Sequence, residues 1–227
     1  MKVDGVLTFW KNDFFKAKNM KSKIESCITT NQLKILFNKE AKIYYHSKNR
    51  DFEVDENNVI FLNLICKYFA RDPSFESEHL GDLSKGLYVC GPNGTGKSSS
   101  FKIIQNISIK YQLKSLWFPI IETYKVVEKF NIERQKDFVT KNYSKGRYLF
   151  DDLGAEVEAN NNFVFGKDDI FAKIMQSRYD EFIRKGTFTH ITSNLNIEQI
   201  RQRYGSRVED RFVEMFNLLE LNGESKR

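Results

Sequence analysis

The feature that most constrains this chain is the segment of residues 91–98, which reads Gly-Pro-Asn-Gly-Thr-Gly-Lys-Ser. It follows the apolar run of residues 86–90 and precedes a segment with helical periodicity that begins at Ser99. This is the spacing G-x-x-x-x-G-K-[ST] in a strand–loop–helix context, the pattern of a phosphate-binding loop. Glycines let such a backbone curl so that successive N–H groups point at phosphate oxygens, and the following helix adds its positive end. The segment predicts nucleotide binding.

Within this loop we expect Lys97 to reach the β- and γ-phosphates of ATP and the Ser98 hydroxyl to bind Mg²⁺. ATP and Mg²⁺ are therefore the expected cofactors. The alternative is a glycine-rich turn that contains a lysine, and the four fixed positions arise by chance in roughly one chain in a hundred of this length. The candidate nucleotide-binding residues are Gly91, Pro92, Asn93, Gly94, Thr95, Gly96, Lys97, Ser98 and Ser99.

Charge is unevenly distributed along the 227 residues, although the whole chain carries a net charge of only +6. Residues 1–50 hold 11 basic and 4 acidic side chains, whereas residues 51–82 hold 2 and 8. This shift predicts a helical N-terminal region, residues 1–80, that is distinct from a nucleotide-binding domain of residues 81–227. A basic excess favours a polyanionic partner, and solvated lysines are the alternative.

Cysteine usage and hydropathy indicate a cytoplasmic protein. The three cysteines lie far apart, without a C-x-x-C pair or zinc-ligand spacing, and we expect them to be reduced. No apolar stretch approaches the length of a membrane span, and the N-terminus lacks the apolar core of a signal peptide.

Alternation of strand-like and helix-like segments predicts an α/β fold with a five-stranded parallel sheet flanked by helices. The expected helices cover 14–28, 31–44 and 56–69, then 99–111, 121–138, 167–184, 197–204 and 206–216. A polar loop is expected over 155–168, and the expected strands cover 86–90, 114–120, 147–152, 187–192 and 217–221. Ligands of such sheets lie at the carboxyl ends of the strands, where Gly91, Asp151 and Asn194 fall.

An acidic pair ends the third expected strand. Asp151 is placed to hold Mg²⁺ through water, and Asp152 would then be the base that activates the attacking water. An acidic turn after a strand is the alternative interpretation. Asn194, after the fourth strand, could hydrogen-bond the attacking water or the γ-phosphate. It could instead cap the helix that begins near residue 197, a role that Asn196 could also take.

Two arginines, Arg207 and Arg211, are spaced to share one face of a helix near the end of the chain. They are candidates for catalysis, and pairing with Glu209 and Asp210 is the alternative.

Four segments in this order, GPNGTGKS, LFDDLGAE, ITSN and YGSRVEDR, resemble the AAA+ ATPases of the DnaC-type helicase-loader and IstB-like group over roughly residues 80–227. The resemblance implies that Asp152 stands where most AAA+ proteins have Glu, and that Asn194 is a sensor residue. It also implies a trans-acting arginine finger at Arg207, with Arg211 as the alternative, and a second sensor arginine at Arg227.

The same resemblance implies an ATPase that assembles as a homo-oligomer on ATP binding, contacts single-stranded DNA and delivers a replicative helicase. Family members usually contact the helicase through the N-terminal region. Basic and aromatic residues suited to DNA backbone contact and stacking are Lys125, Lys129, Arg134 and Lys136, beside Tyr124 and Phe130. A solvated charged helix is the alternative for these residues.

Three other functions are consistent with the same motifs. An IstB-like helper of transposition shares the whole ATPase core, and small-molecule kinases use the same loop. A nucleotide-gated adaptor would bind ATP without hydrolysing it.

Overall fold

The computed structural model describes residues 28–132, 136–155 and 170–225. The helix expected over 14–28 and the loop expected over 155–168 lie almost wholly outside these residues. Contacts divide the chain into two compact units. The first comprises Met1–Leu83, Gly94–Trp117 and Leu221–Arg227, and the second comprises Ser84–Asn93 and Phe118–Glu220. The boundary expected near residue 80 stays a prediction.

The described part of the first unit is helical. Its α-helices are α1 (Thr30–His46), α2 (Val59–Phe69), α3 (Ser74–Ser77) and α4 (Lys97–Lys110), and a short 3-10 helix covers Lys114–Leu116. Helix α1 begins after Thr29, one or two residues earlier than expected. Thr29 accepts the Gln32 N–H at 3.3 Å, and the Gln32 side chain accepts the Thr29 N–H at 3.0 Å. This reciprocal pair satisfies two backbone donors, which places the cap at Thr29.

Helix α1 packs on α2 and α4, so its apolar face is covered. Leu33, Phe37 and Ala41 on that face have no exposed surface. At the far end of α4, the Lys110 ammonium lies 2.8 Å from the Glu40 carboxylate, and the Tyr111 hydroxyl donates to Glu40 at 3.0 Å. These polar contacts help to fix the orientation of α1 against α4, in an interface that is otherwise apolar.

The second unit contains a five-stranded parallel sheet, which confirms the predicted α/β fold. The order is β2-β3-β4-β1-β5, and every carboxyl end therefore meets one edge of the sheet. Every residue of β1 and of β4 is buried. The strands are β1 (Gly86–Cys90), β2 (Ile120–Glu122), β3 (Tyr148–Leu153), β4 (Thr189–Ser193) and β5 (Phe216–Glu220).

Strands β1 and β4 approach closely at Gly86. A Cβ atom at that position would overlap the carbonyl oxygen of Thr189. The glycine is therefore required by the distance between two backbones.

The strand expected over residues 114–120 is wrong in its position. Lys114–Leu116 form the 3-10 helix, and β2 begins only at Ile120. Pro119 accepts the Leu149 N–H at 2.9 Å but has no N–H of its own. Because proline cannot donate to a ladder, the regular strand starts after it and stays short at the sheet edge.

Five helices of the second unit follow within the described residues. The single helix expected from 121 to 138 is wrong, because Ile120–Glu122 pair with β3 and two helices come after them. The later helices end within one residue of expectation, and Gly186 and Gly205 follow two of them. These helices are α5 (Thr123–Ile132), α6 (Lys136–Ser144), α7 (Ile170–Lys185), α8 (Ile197–Tyr204) and α9 (Ser206–Met215).

One apolar cluster joins these helices to the sheet, with Phe150, Ile191 and Phe212 fully buried in it. A buried arginine, Arg178, lies beside this cluster, with its guanidinium 5.3 Å from the centre of the Phe150 ring. Its guanidinium donates to Thr189 Oγ1 and to the carbonyls of Tyr143, Gly146 and Phe188, at 2.7–3.2 Å. Burial lowers the pKa of Arg178 to about 10, so the side chain stays charged at neutral pH.

Across the described ranges, every helix is too short or too polar to span a bilayer.

Candidate functional site

The predicted phosphate-binding loop connects strand β1, which ends at Cys90, to helix α4, which begins at Lys97. Its backbone is left-handed at Gly94 (φ 83°) and Gly96 (φ 106°), a conformation that glycine adopts without steric cost. At Gly94 a side chain would also overlap the Ser225 hydroxyl. The loop therefore has the glycine-dependent, curled backbone that the motif requires.

Two side chains of the loop are withdrawn from solvent. Thr95 and Lys97 are each only 5% exposed. Helix α4 begins at Lys97 without a side-chain cap. Amides in the first turn of a helix lack intrahelical acceptors, and together with an ammonium they favour an anion.

Two tyrosines at the end of α1 contact this loop. The Tyr45 hydroxyl oxygen lies 3.2 Å from the position that a Cβ atom would take at Gly96. Although burial raises the pKa of Tyr44, hydrogen bonds donated by Lys48 and Ser99 lower it below its usual range. The sequence contains no local signal for these contacts, because the partners lie about fifty residues apart.

At the carboxyl edge of the sheet, the acidic pair is held by the neighbouring strand. Asp151 is 3% exposed, and its Oδ1 accepts the Thr192 hydroxyl at 2.6 Å. The same Thr192 oxygen accepts the Asp152 N–H at 3.0 Å. Asp152 has a φ of 60°, and its carbonyl accepts the Thr123 hydroxyl at 2.7 Å. Sequence reasoning missed Thr192 and Thr123 as residues that position this pair.

The registers of β1, β3 and β4 bring three strand ends together. Ser193 on β4 lies opposite Cys90 on β1 and Leu153 on β3, and its hydroxyl donates to the Leu153 carbonyl at 2.6 Å. Asn194 follows immediately and is exposed. The edge therefore holds the acidic pair, the start of the loop at Gly91 and Asn194 on adjacent strands.

The alternative role of Asn194 as a helix cap is wrong. Helix α8 is capped by Asn196, whose Oδ1 accepts the Gln199 N–H at 2.8 Å. The Gln199 side chain in turn accepts the Asn196 N–H at 2.8 Å. Asn194 thus remains a sensor candidate.

The two candidate finger arginines differ in their surroundings. Arg207 lies exposed in the first turn of α9. Arg211 lies one turn later, with its guanidinium 5.0 Å from the centre of the Tyr179 ring. Glu209, which the alternative interpretation pairs with one of them, lies 3.6 Å from Arg201. Arg227 is outside the described residues.

The candidate DNA-contact residues on α5 make local contacts. Lys125 pairs with Glu122 and lies 5.6 Å from the centre of the exposed Tyr124 ring. Lys129 lies 6.0 Å from the centre of the Tyr143 ring. Arg134 and the side chain of Lys136 are outside the described part of the chain. DNA contact by these residues stays a prediction.

Solved structures that share this fold include two proteins of similar extent. A crystal structure of DnaI superposes with a TM-score of 0.52 at 21% identity, over 78% of this chain and 88% of that one. A candidate primosome component from Streptococcus pyogenes serotype M3 superposes with a TM-score of 0.51 at 17% identity, over 85% and 91%. No protein-family model matches the sequence, and no curated protein matches it significantly.

Proposed function

We propose that this chain is an AAA+ ATPase of the helicase-loader type, which binds and hydrolyses ATP. The observation that carries the proposal is the left-handed backbone at Gly94 and Gly96, immediately before the buried Lys97. A loop of this form presents N–H groups and one ammonium, and it suits the phosphates of a nucleotide.

Ser98 and Asp151 are the proposed ligands of Mg²⁺, because a hydroxyl and a carboxylate supply the oxygens that this ion prefers. In the proposal, Lys97 binds the β- and γ-phosphates, and Asp151 holds the ion through water. Bound Mg²⁺ would neutralise charge that develops on the phosphates. The hydrogen bond from Thr192 orients the Asp151 carboxylate at this edge of the sheet.

Asp152 is proposed as the base that orients and activates water, and Asn194 as the residue that hydrogen-bonds this water or the γ-phosphate. Support comes from the bend at Asp152, where the positive φ interrupts the regular strand. Asp152 is half-buried at this bend, whereas Asp151 is buried.

Arg207 is proposed to complete the site of a neighbouring copy in a homo-oligomer that forms on ATP binding. Its exposure in the first turn of α9 supports this role over one for Arg211, which stacks on Tyr179. A guanidinium supplied by a second subunit couples hydrolysis to assembly, because charge stabilisation is complete only in the oligomer.

A replicative helicase and single-stranded DNA are the proposed partners, and the cytoplasm is the proposed location. The fold shared with DnaI and with the primosome component supports a role in replication. The basic excess of residues 1–50 is compatible with a polyanion.

The test is phosphate release measured with and without single-stranded DNA over a wide range of protein concentration. We expect the specific activity to rise steeply with concentration, because the site is shared between subunits. Lys97→Ala should abolish both nucleotide binding and phosphate release. Activity per molecule that is independent of concentration would contradict a shared site. Transfer of phosphate to a nucleoside, in place of its release, would indicate a kinase.

A further inference from the structure

The two packed helices α1 and α4 carry almost no negative charge. Residues 30–50 and 97–110, which cover both helices and the end of the first, contain eight basic side chains and one acidic side chain. That acid, Glu40, is buried, and its carboxylate lies 2.8 Å from the Lys110 ammonium. Since nothing else in these two segments offsets the basic residues, the helix pair is a concentrated source of positive potential.

The lysines in the middle of α1 point away from its apolar face. Phe37 and Ala41 have no exposed surface. The helical period of 3.6 residues places Lys39 and Lys42 on the opposite side, where both are half-buried. Ile43, next to Lys42, is 51% exposed. The outer side of α1 is therefore basic and accessible to solvent.

Helix α4 also has one buried side and one outer side. Phe101 and Ile104 are fully buried. Lys102, Asn106 and Ile109 recur at intervals of four and three residues and are half-buried or exposed, so they share the outer side. The outer side of α4 therefore also presents a lysine among neutral residues.

Contacts at two points show how the helices lie against each other. At the end of α4, Lys110 reaches Glu40. Just before α4, Gly96 lies against the hydroxyl of Tyr45, which comes later on α1 than Glu40. The helices therefore run antiparallel, and because they pack side by side, their outer sides adjoin.

Lys48 extends this surface beyond the end of α1. Its ammonium donates to the Tyr44 hydroxyl at 2.6 Å and lies 3.9 Å from the centre of the Tyr44 ring. An ammonium that is already held loses less conformational freedom when it binds a phosphate. We define the α1–α4 basic face as Lys39, Lys42, Lys48, Lys102 and Lys110.

The size and chemistry of this face suit a chain of phosphates. Helix α1 has 17 residues and α4 has 14, which correspond to lengths of about 25 Å and 21 Å. Several ammonium groups distributed over such a length match the repeated charges of a nucleic-acid backbone better than one small anion. The lysines of α5 are less suitable, because Lys125 is paired with Glu122.

We propose that the α1–α4 basic face binds the phosphate backbone of single-stranded DNA. This inference rests on the proposed function, which includes single-stranded DNA as a partner but assigns it no surface. The contacts join ammonium groups to phosphates, so binding is independent of base sequence and weakens as salt is added.

The test is the salt dependence of binding to fluorescently labelled oligothymidylate, measured by anisotropy with the full chain. Lys39→Gln/Lys42→Gln removes two charges and introduces residues that favour a helix. Each phosphate contact on a single strand contributes about 0.7 to the slope of log K against log salt concentration. The slope of the double variant should therefore be shallower by about 1.4, and adding Lys102→Gln should reduce it by about 0.7 more.

Lys125→Gln/Lys129→Gln is the matched control, because it removes the same charge from α5, the other candidate surface. We expect this variant to keep the wild-type slope. Affinity for labelled ADP and the unfolding midpoint in urea should be those of the wild type in both double variants, which would show that the fold and the nucleotide site are intact.

Three outcomes would overturn the inference. A wild-type slope in Lys39→Gln/Lys42→Gln, or equal changes of slope in the two double variants, would exclude the α1–α4 basic face and leave the proposed function standing. No further change on adding Lys102→Gln would exclude α4 from the surface. Wild-type protein that binds vesicles of phosphatidylserine but no oligothymidylate would refute both this inference and the proposed DNA partner.

The nucleotide site is assessed separately in the same samples. Wild-type protein that binds no labelled ADP or ATP would refute the proposed ATPase, whatever the result with DNA. The failures of the two proposals are therefore distinguishable.

Discussion

Thr192 on strand β4 donates its hydroxyl to Oδ1 of Asp151 on β3 across 2.6 Å, in a position where both side chains are buried. Because the same oxygen accepts the Asp152 N–H, one threonine orients the carboxylate of the first acid and the backbone of the second. The geometry of the acidic pair thus depends on a strand that comes forty residues later in the chain.

Replacement of this threonine should impair both stability and catalysis. Thr192→Val keeps the shape but leaves a buried carboxylate oxygen without that donor, which should cost about 1–3 kcal/mol of unfolding free energy. Thr192→Ser retains the hydroxyl and should recover most of the loss. Urea unfolding and steady-state phosphate release would measure the two effects. Wild-type stability and turnover in Thr192→Val would contradict the role given to this contact.

Replacement of each of the two arginines of α9 should have different effects on turnover. Arg207→Ala should bind nucleotide normally but lose about 10³-fold or more in turnover, as removal of an arginine finger does elsewhere. Arg211→Ala should retain much more activity, because Arg211 packs on Tyr179. The measurement is phosphate release at saturating ATP and high protein concentration. The reverse result would move the finger by one helical turn.

Replacement of Arg178 should strongly destabilise the fold. Arg178→Met leaves the carbonyls of Tyr143 and Gly146 without their 2.7 Å donors, and we expect a loss of about 3–5 kcal/mol. Arg184→Met is the matched control on the same helix, because this side chain is 64% exposed and its partner Glu181 also has an ion pair with Lys185. Its loss should stay below about 1 kcal/mol. Similar unfolding midpoints in urea for the two variants would refute the assignment.

His190 should make stability fall as the solution is acidified. Burial, with help from the charges of Arg147 and Arg178, lowers the pKa of His190 to about 3 from an ordinary 6.5. Its Nδ1 accepts the Leu87 N–H at 3.1 Å, which requires the neutral ring. The unfolded chain therefore binds a proton that the folded chain excludes, and stability decreases below pH 6.5.

Between pH 7.5 and pH 5 this one group should remove about 2 kcal/mol of unfolding free energy. His190→Asn lacks the titratable ring and should show a correspondingly flatter dependence. Urea unfolding at several pH values would give both curves. Parallel curves for the two proteins would show that His190 is not responsible.

Much of the fold was predictable because strands β1, β3 and β5 contain short apolar runs between turn residues, and β4 is rich in β-branched residues. Strand β2 was misplaced, since Lys114–Leu116 and the residues after Pro119 look equally strand-like, and only pairing with β3 separates them. The order of the strands could not be predicted from local patterns either, because it depends on which strands lie side by side.

The candidate site likewise contains some residues that the local sequence predicts and others that it does not. Asp151 and Asp152 stand out locally, as carboxylates that end an apolar strand. Thr192 and Thr123 do not, because their roles come from partners distant in sequence. A threonine at the end of a strand or at the start of a helix is an ordinary residue until those partners are known.

The close approach of β1 and β4 at Gly86 has a consequence for how relatives of this chain should be recognised. Any homologue that keeps these two backbones at this separation must keep glycine at the aligned position, whether or not it retains nucleotide chemistry. An invariant glycine at that position of an alignment would indicate that the fold is shared. Invariance at Gly94 and Gly96, when the rest of the loop has diverged, would report selection for a ligand.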